Sequence, residues 1–161
     1  MPVTIRSARP ADIGVVFALI RELADYEKLS HEVVASEADI AAALFCDHPT
    51  LLCDLAEWNG AVAGFAVWFV NFSTFAGKPG IYLEDLFVRP VFRRNGIGQA
   101  LLGHLARTCV EKGWARLQWS VLDWNAPSIT FYKSLGAELM EEWTVCKVTG
   151  PALTQLAGRA P

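Results

Sequence analysis

One stretch of the chain predicts the fold: Tyr82-Leu-Glu-Asp-Leu-Phe-Val-Arg-Pro-Val-Phe-Arg-Arg-Asn-Gly-Ile-Gly-Gln-Ala-Leu-Leu102. Its first part predicts a half-buried strand over Ile81–Val88, which Pro90 ends because proline gives no hydrogen to a strand ladder. A basic glycine turn follows at residues 93–98, and apolar residues at helical spacing from Leu101 onward predict a helix. The free N–H groups and positive dipole end of that helix form an anion site. Two arginines beside them make a diphosphate the expected guest.

Three known phosphate-binding motifs can be compared with this turn. A phosphate-binding P-loop needs four residues between its glycines and a lysine after the second, and neither is present. A dinucleotide fingerprint needs a third glycine where Leu101 stands and an acid about twenty residues further on, for which Asp123 is the candidate. No second mononucleotide-binding half follows, which argues against that alternative. What remains is Arg-x-x-Gly-x-Gly at Arg93, Gly96 and Gly98, for which a solvated surface turn is the simplest alternative.

Composition places the chain among compact soluble proteins. Its 161 residues suffice for one domain, and the net charge of −3 with a pI near 5.6 argues against a nucleic-acid partner. The four cysteines show neither disulfide-like pairs nor metal-ligand spacing with the histidines. The N-terminus has no apolar signal core, and the longest apolar run, Ala61–Val70, is too short to span a bilayer. We therefore expect a cytoplasmic protein with no membrane partner and no metal.

The rest of the chain alternates strand and helix patterns. The predicted elements are strands over 3–7, 50–57, 61–71, 81–88, 116–121, 137–141 and 143–149, and helices over 10–27, 36–45, from 97 to Gly113, and over 125–135. Ser36 and Asp39 predict a capping box, and Asn59-Gly60 predicts a hairpin turn. Residues 72–80 are expected to form a glycine-bearing loop, and residues 151–157 either one helical turn or a disordered end. This order is that of an α/β layered domain.

A second constellation lies near the C-terminus. Asn125-Ala-Pro-Ser128 precedes Phe131-Tyr132-Lys133, and Ser128 and Tyr132 share one helical face because they are four residues apart. Taken alone, Tyr132 is also compatible with an aromatic core residue whose hydroxyl bonds to the backbone.

Together the two motifs resemble the GNAT superfamily of acetyl-CoA-dependent N-acetyltransferases, and the element order is similar along the whole chain. The resemblance implies the α/β GNAT acyl-CoA N-acyltransferase fold, with a mixed central sheet of about seven strands flanked by helices. It implies a single catalytic domain over residues 1–161. It also implies acetyl-CoA as cosubstrate.

The residues Tyr82–Val88, Trp124-Asn125 and Phe131-Tyr132-Lys133 are similar to the diamine (spermidine/spermine) and thialysine N-acetyltransferase branch, in which homodimers are common. By this resemblance the residues that bind acetyl-CoA are Leu86, Phe87, Val88, Arg93, Arg94, Asn95, Gly96, Ile97, Gly98, Gln99, Asn125 and Ser128. Those that face a small amine substrate are Tyr26, Glu27, Glu84 and Glu142. The loop over residues 71–80 lacks an acid and Arg94 replaces a small residue, so polyamine specificity stays open.

Acetylation of an amine needs a group that removes a proton, because a primary amine with a pKa near 10.4 is protonated at pH 7. Glu84, beside the glycine turn, is the candidate base, acting directly or through water. Strand alternation places Asp85 on the opposite face, paired with Arg or Lys unless a bulge re-aims it. Tyr132 is the candidate donor to the departing sulfur, and backbone N–H groups at the strand–turn junction are expected to bind the thioester oxygen.

Alternatives remain for the acceptor and for the class of protein. The acceptor is expected to be diamine-like or thialysine-like. An amino-acid side chain, an aminoglycoside-like compound, or a protein N-terminus or lysine stays possible as the amine. A non-catalytic acyl-CoA sensor would carry the same turn. A Ser–His or Cys–His hydrolase is disfavoured because His31, His48 and His104 are scattered along the chain.

Overall fold

The structure is a computed structural model that describes residues 3–161. The chain divides into two compact units, one ending at Asn125 and the other running from Ala126 to Pro161. Over residues 3–125 the elements are β1 Thr4–Ser7, α1 Ile13–Tyr26, α2 Glu37–Leu44, β2 Leu52–Trp58, β3 Ala61–Ser73, β4 Lys78–Val88, α3 Ile97–Lys112 and β5 Leu117–Trp119. Short 3₁₀ turns precede α1 at Pro10–Asp12 and α3 at Pro90–Phe92.

The five strands form one mixed sheet in the order β1-β2-β3-β4-β5. The first four strands pair antiparallel, and β5 pairs parallel with β4. A parallel pair needs a crossover, and α3 supplies it. The strand–turn–helix prediction around residues 81–112 is therefore confirmed, and β4 becomes the strand that carries the chain into the glycine turn.

Local turn chemistry fixes the antiparallel part of the sheet. Asn59 and Gly60 both have positive φ, 52° and 79°, as the two central residues of a type I′ hairpin require. The loop predicted over residues 72–80 is largely wrong. Phe72 pairs with Pro79 and Ser73 with Lys78, so both strands extend and only residues 74–77 form the turn.

Each face of the sheet buries a different helix layer. On one face the core cluster unites α1 and α2 residues with side chains from three strands: Val16, Leu19, Leu23, Leu44, Cys53, Leu55, Phe65, Val67 and Phe87. On the other face α3 buries Leu101, Leu105 and Cys109, and its His104 lies 3.6 Å from the buried Asp54 carboxylate. The helix predictions are confirmed here, including the Ser36–Asp39 capping box and the end of α3 at the left-handed Gly113.

The second unit contains α4 Ala126–Ser134 and α5 Gly150–Ala157. Gly136, with φ of 90°, follows α4 as predicted, and the C-terminal segment forms a helix rather than a single turn. The two final strands over 137–141 and 143–149 are wrong, because residues 137–149 join no ladder. The sheet of the described chain has five strands, not about seven. An alternating pattern makes a strand only where a neighbouring strand accepts its backbone hydrogen bonds.

Candidate active site

A β-bulge re-aims the acidic pair on β4. Val67 pairs with Asp85, whereas the next residue of β3, Trp68, pairs with Leu83. Glu84 is therefore an extra residue on β4, and two residues of the bulged strand oppose one residue of the partner. Strict alternation does not hold across this bulge, and among the described residues no ion pair joins Asp85 to a basic group, so the prediction that Asp85 pairs with Arg or Lys is wrong. The sequence left one exception to strand alternation, a β-bulge at this pair, and the structure contains that bulge.

The two carboxyl groups differ in burial. Glu84 is exposed and Asp85 is half-buried. Burial, and then the neighbouring charges of Glu84 and Glu27, raise the pKa of Asp85 to about 7. Burial also raises the pKa of Glu27. Asp85 is therefore the carboxyl that the charges of Glu84 on β4 and of Glu27 at the end of α1 both affect.

The glycine turn has the geometry that the sequence predicts for an anion site. Gly96 is the N-cap of α3 with φ of 74° and carries no side chain that caps the first-turn N–H groups. Arg94 precedes it in the left-handed region with φ of 66°, a conformation that costs a non-glycine residue about 1–2 kcal/mol. The Asn95 side-chain amide donates to the Phe92 carbonyl over 3.0 Å, which ties the turn to the preceding 3₁₀ turn. The uncapped N–H groups and the exposed Arg93 and Arg94 suit a diphosphate.

Arg93 joins this turn to the end of α1. Its Nε donates to the Val88 carbonyl over 2.9 Å, at the last residue of β4. Its guanidinium lies 4.9 Å from the centre of the Tyr26 ring and 5.6 Å from that of Phe87. Such cation–π contacts stabilise by about 0.5–1 kcal/mol at exposed sites. The candidate cofactor turn and the candidate substrate loop therefore share one side chain.

An ion pair and a hydrogen bond fix Tyr26 in this position. Arg89, just after β4, donates from Nε and Nη2 to the Glu22 carboxylate of α1, at 2.8–3.2 Å. Tyr26 lies one helical turn after Glu22, and its hydroxyl donates to Asn125 Oδ1 over 3.3 Å. Its ring is 6.2 Å from that of Trp124. The end of α1 is thus held between the end of β4 and the segment at 124–125.

The remaining predicted site residues divide between the two units. In the first unit Phe87 and Ile97 are buried, Leu86, Val88 and Gly98 are half-buried and Gln99 is exposed. Because the Ile97 side chain is buried, only the backbone of Ile97 is open to contact with a cofactor. In the second unit Ser128 and Tyr132 are half-buried on α4, the Tyr132 ring lies 5.5 Å from Phe131, and Glu141 and Glu142 are exposed in a turn.

Sequence reasoning missed Asp85 as a titrating group and Lys28 as part of this region. Lys28 has φ of 61°, and its Nζ lies 5.2 Å from the centre of the Trp124 ring. The two consecutive acids on a strand that leads into a glycine turn were the available signal for a bulge. Nothing in the residue pattern indicates a lysine in the left-handed region, where glycine is usual.

Two further observations describe the chain as a whole. Across residues 3–161, none of the helices combines the length and the apolar character that crossing a bilayer requires. Over the same range, no three His, Cys, Asp or Glu side chains are grouped so that they could hold a metal ion.

The fold is that of an acyl-CoA-dependent acetyltransferase, and comparison with known proteins identifies the family. The profile of the acetyltransferase (GNAT) family matches residues 18–137, so the chain belongs to that family and is a GNAT N-acetyltransferase. GNAT acetyltransferases take their acetyl group from acetyl-CoA.

Similar proteins cover the full chain. A thialysine N-epsilon-acetyltransferase of Bos taurus is 38% identical, with 98% of each chain covered. An L-ornithine N5-acetyltransferase of Arabidopsis thaliana is 31% identical over 92% of this chain and 85% of its own. Among solved structures, an integron cassette protein of V. cholerae is 31% identical with a TM-score of 0.79 over 98% of both chains. An aminoglycoside acetyltransferase solved with a CoA bisubstrate analogue, 22% identical with a TM-score of 0.72 over 93% of this chain and all of its own, shares the fold.

Proposed function

We propose that this acetyltransferase transfers the acetyl group of acetyl-CoA to a primary amine of a small cationic acceptor, thialysine-like or diamine-like, by direct attack in a ternary complex. The observation that carries this proposal is the half-buried Asp85 on β4, whose pKa is raised to about 7 by burial and by the charges of Glu84 and Glu27. The names of the similar thialysine and ornithine acetyltransferases support the choice of acceptor.

The raised pKa of Asp85 suits proton removal from an ammonium group. Transfer from an amine of pKa near 10.4 to a carboxylate of pKa near 3.9 costs about 9 kcal/mol. Transfer to a carboxylate of pKa about 7 costs about 5 kcal/mol. We therefore assign Asp85 as the base that accepts the proton of the substrate ammonium. Glu84 attracts the cation, and where the amine lies closer to Glu84, that residue passes the proton on through water.

The residues of the turn fit the cofactor. The uncapped N-terminus of α3 and Arg93, Arg94 and Asn95 would hold the diphosphate, and the backbone of Gly96–Gln99 would line it. The backbone of Leu86–Val88 would pair with the pantetheine arm, with Asn125 and Ser128 contributing side-chain contacts. Acetyl-CoA, when bound, supplies a thioester whose carbonyl carbon a free amine attacks.

Tyr132 is proposed as the donor to the departing sulfur. A phenol with an ordinary pKa near 10 is protonated at pH 7, so it carries the proton that a thiolate lacks. Transfer to a thiol of pKa near 8.5 is about 2 kcal/mol uphill, so a hydrogen bond that strengthens as the C–S bond breaks is the expected form of assistance. Tyr26, Glu27 and Glu142 are proposed to face the acceptor.

The proposal is tested by CoA thiol release over a panel of amines: thialysine, ornithine, spermidine, putrescine, an aminoglycoside and a lysine peptide. We expect the fastest turnover with a small acceptor such as thialysine or a diamine. Turnover of the peptide alone would replace the proposal with protein modification. Tight binding of acetyl-CoA without turnover of any amine would replace it with an acyl-CoA sensor.

We also propose that residues 1–161 act as one catalytic domain and that the enzyme is a cytoplasmic homodimer. Support for a second copy comes from exposed apolar side chains in the second unit: Met140 at 59%, Trp143 at 74%, Val145 at 86% and Val148 at 46%. Apolar patches of this kind mark interaction surfaces. The four free cysteines suit a reducing compartment.

Light scattering tests the homodimer. We expect a particle of twice the 17.7 kDa chain mass, and we expect Val145→Asp to lower that mass toward one chain. A monomer at the concentrations of the activity assay would contradict the homodimer. That result would not contradict the proposed acetyltransferase reaction.

A further inference from the structure

Lys28 occupies a backbone position that normally favours glycine. The Leu29 N–H donates to the Ala24 carbonyl over 2.7 Å and the Lys28 N–H to the Asp25 carbonyl over 3.0 Å. These two bonds form a Schellman motif at the end of α1, in which Lys28 is the left-handed residue with φ of 61°. A lysine there is less favourable than glycine by about 1 kcal/mol. Strain of this kind concentrates at functional sites.

The side chain of Lys28 is held in a defined place. Its ammonium lies 5.2 Å from the centre of the Trp124 ring, and that ring contacts Tyr26, which in turn contacts Arg93. Within residues 3–161 the carboxylates paired to basic groups within 4.0 Å are bound by Arg6, His31, Arg89 and His104, and none is bound by Lys28. Lys28 is exposed and directly follows Glu27 in the chain, so its positive charge is accessible to a ligand next to that candidate substrate residue.

Charge is thus separated along this region. The acids Glu27, Glu84 and Asp85 attract an ammonium group, whereas Lys28 attracts an anion. Among the described residues no ion pair joins Lys28 to Glu27, Glu84 or Asp85, so it does not serve as the counter-ion of these acids. A ligand that binds both the acids and Lys28 carries an amine at one end and an anionic group at the other.

We infer that Lys28, supported on Trp124, binds the α-carboxylate of the acceptor, so that the enzyme selects diamino acids over diamines of the same length. This inference rests on the proposed function and narrows its acceptor class. A diamino acid fits because its side-chain ammonium matches the acids and its carboxylate matches the lysine. Lys28 can form a charge-assisted hydrogen bond with the carboxylate of a diamino acid, whereas a diamine has no carboxylate to accept it.

The test compares thialysine with its α-carboxamide, which keeps the size and the reacting amine but removes the negative charge. Wild type should turn over thialysine with a kcat/KM at least ten-fold above that of the carboxamide. Lys28→Gln should lower kcat/KM for thialysine by ten-fold or more and change that for the carboxamide by less than three-fold. Lys28→Arg should restore most of the preference.

Two further variants separate the charge from the backbone and from general effects. Lys28→Gly relieves the left-handed strain, so it should raise Tm and still lose the preference for thialysine. Lys112 is a matched control, because its Nζ lies 5.4 Å from the centre of the Trp114 ring. Lys112→Gln should leave both acceptors unchanged.

The outcomes distinguish this inference from the proposed function. Equal losses on both acceptors, no loss on either, or a raised KM for acetyl-CoA alone in Lys28→Gln would overturn the carboxylate subsite. Wild type that turns over the carboxamide or simple diamines as fast as thialysine would overturn the subsite and leave acetyl transfer to small amines standing. Wild type that acetylates no small amine would overturn both.

Discussion

The carboxyl of Asp85 is half-buried, and that of its sequence neighbour Glu84 is exposed. Burial and the neighbouring charges of Glu84 and Glu27 raise the pKa of Asp85 to about 7, and a bulge in β4 sets the register of this pair. The sequence indicated Glu84 as a site residue but placed Asp85 on the opposite face, because strand alternation could not show that Val67 pairs with Asp85 and Trp68 with Leu83. A bulge depends on the register of the partner strand, which residue patterns alone do not fix. The glycines of the turn were predictable, because left-handed backbone at Gly96 is a local property.

At the same scale, Tyr132→Phe should lower kcat by ten-fold or more, or about 1.4 kcal/mol of transition-state stabilisation. The variant removes one hydroxyl and leaves the ring that contacts Phe131, so the affinity for acetyl-CoA should stay within two-fold. Steady-state kinetics and calorimetry measure the two quantities. Tyr82→Phe is a matched control, since that hydroxyl bonds to Ser120 over 2.8 Å. Undiminished kcat in Tyr132→Phe would return Tyr132 to the role of a packed aromatic residue.

Elements whose limits depend on local chemistry were predicted well. The capping box at Ser36, the hairpin at Asn59-Gly60 and the end of α3 at Gly113 are all encoded within a few residues. The strands predicted over 137–149 failed, because a strand depends on a partner that its own sequence does not contain. The same reasoning explains why residues 72–80 were taken as a loop, although half of them extend the β3–β4 pair.

The approach of β3 to β4 near the cofactor end gives a prediction at this scale. A Cβ at Gly64 would lie 2.4 Å from the Phe87 carbonyl oxygen and 3.1 Å from Val88 Cα, so Gly64→Ala must separate the strands there. We expect a loss of about 1–3 kcal/mol in the free energy of unfolding and weaker binding of acetyl-CoA. Urea titration and calorimetry measure these effects.

The matched control is Gly103→Ala on the exposed side of α3, where an added Cβ meets nothing within 4 Å. It should be neutral or stabilising by up to about 1 kcal/mol, because alanine favours a helix over glycine. If Gly64→Ala behaved like Gly103→Ala, the close contact between β3 and β4 would not be a constraint on the site.

For the whole molecule, the raised pKa of Asp85 makes the free energy of unfolding depend on pH. The folded-state pKa of Asp85, about 7, lies above its ordinary value of 3.8, so the folded protein holds that proton more tightly than the unfolded chain does. Ionisation of Asp85 therefore opposes folding: the penalty is absent below about pH 4, grows as the pH rises to about 7, and is full above it. Its upper bound is about 4 kcal/mol, at 1.36 kcal/mol per pKa unit.

Asp85→Asn should accordingly raise the free energy of unfolding at pH 8 by up to about 4 kcal/mol, and by much less at pH 4.5. Urea unfolding at the two pH values measures the difference. The exposed Asp123→Asn is the control and should show no such pH dependence. A gain that is equal at both pH values, or a loss that is larger at pH 8, would show that Asp85 carries no raised pKa.

The pH dependence of kcat/KM tests the central claim most directly, because it reports the ionisation of essential groups in the free enzyme. With Asp85 as the group that takes the proton, wild type should lose activity toward acid with an apparent pKa near 7. Glu84→Gln removes a neighbouring negative charge, so the acid limb of the profile, where kcat/KM falls toward low pH, should move to lower pH. Asp85→Asn should abolish this acid limb and most of the activity. A wild-type profile that is flat between pH 5.5 and 8.5, or a limb that survives unchanged in Asp85→Asn, would contradict this account.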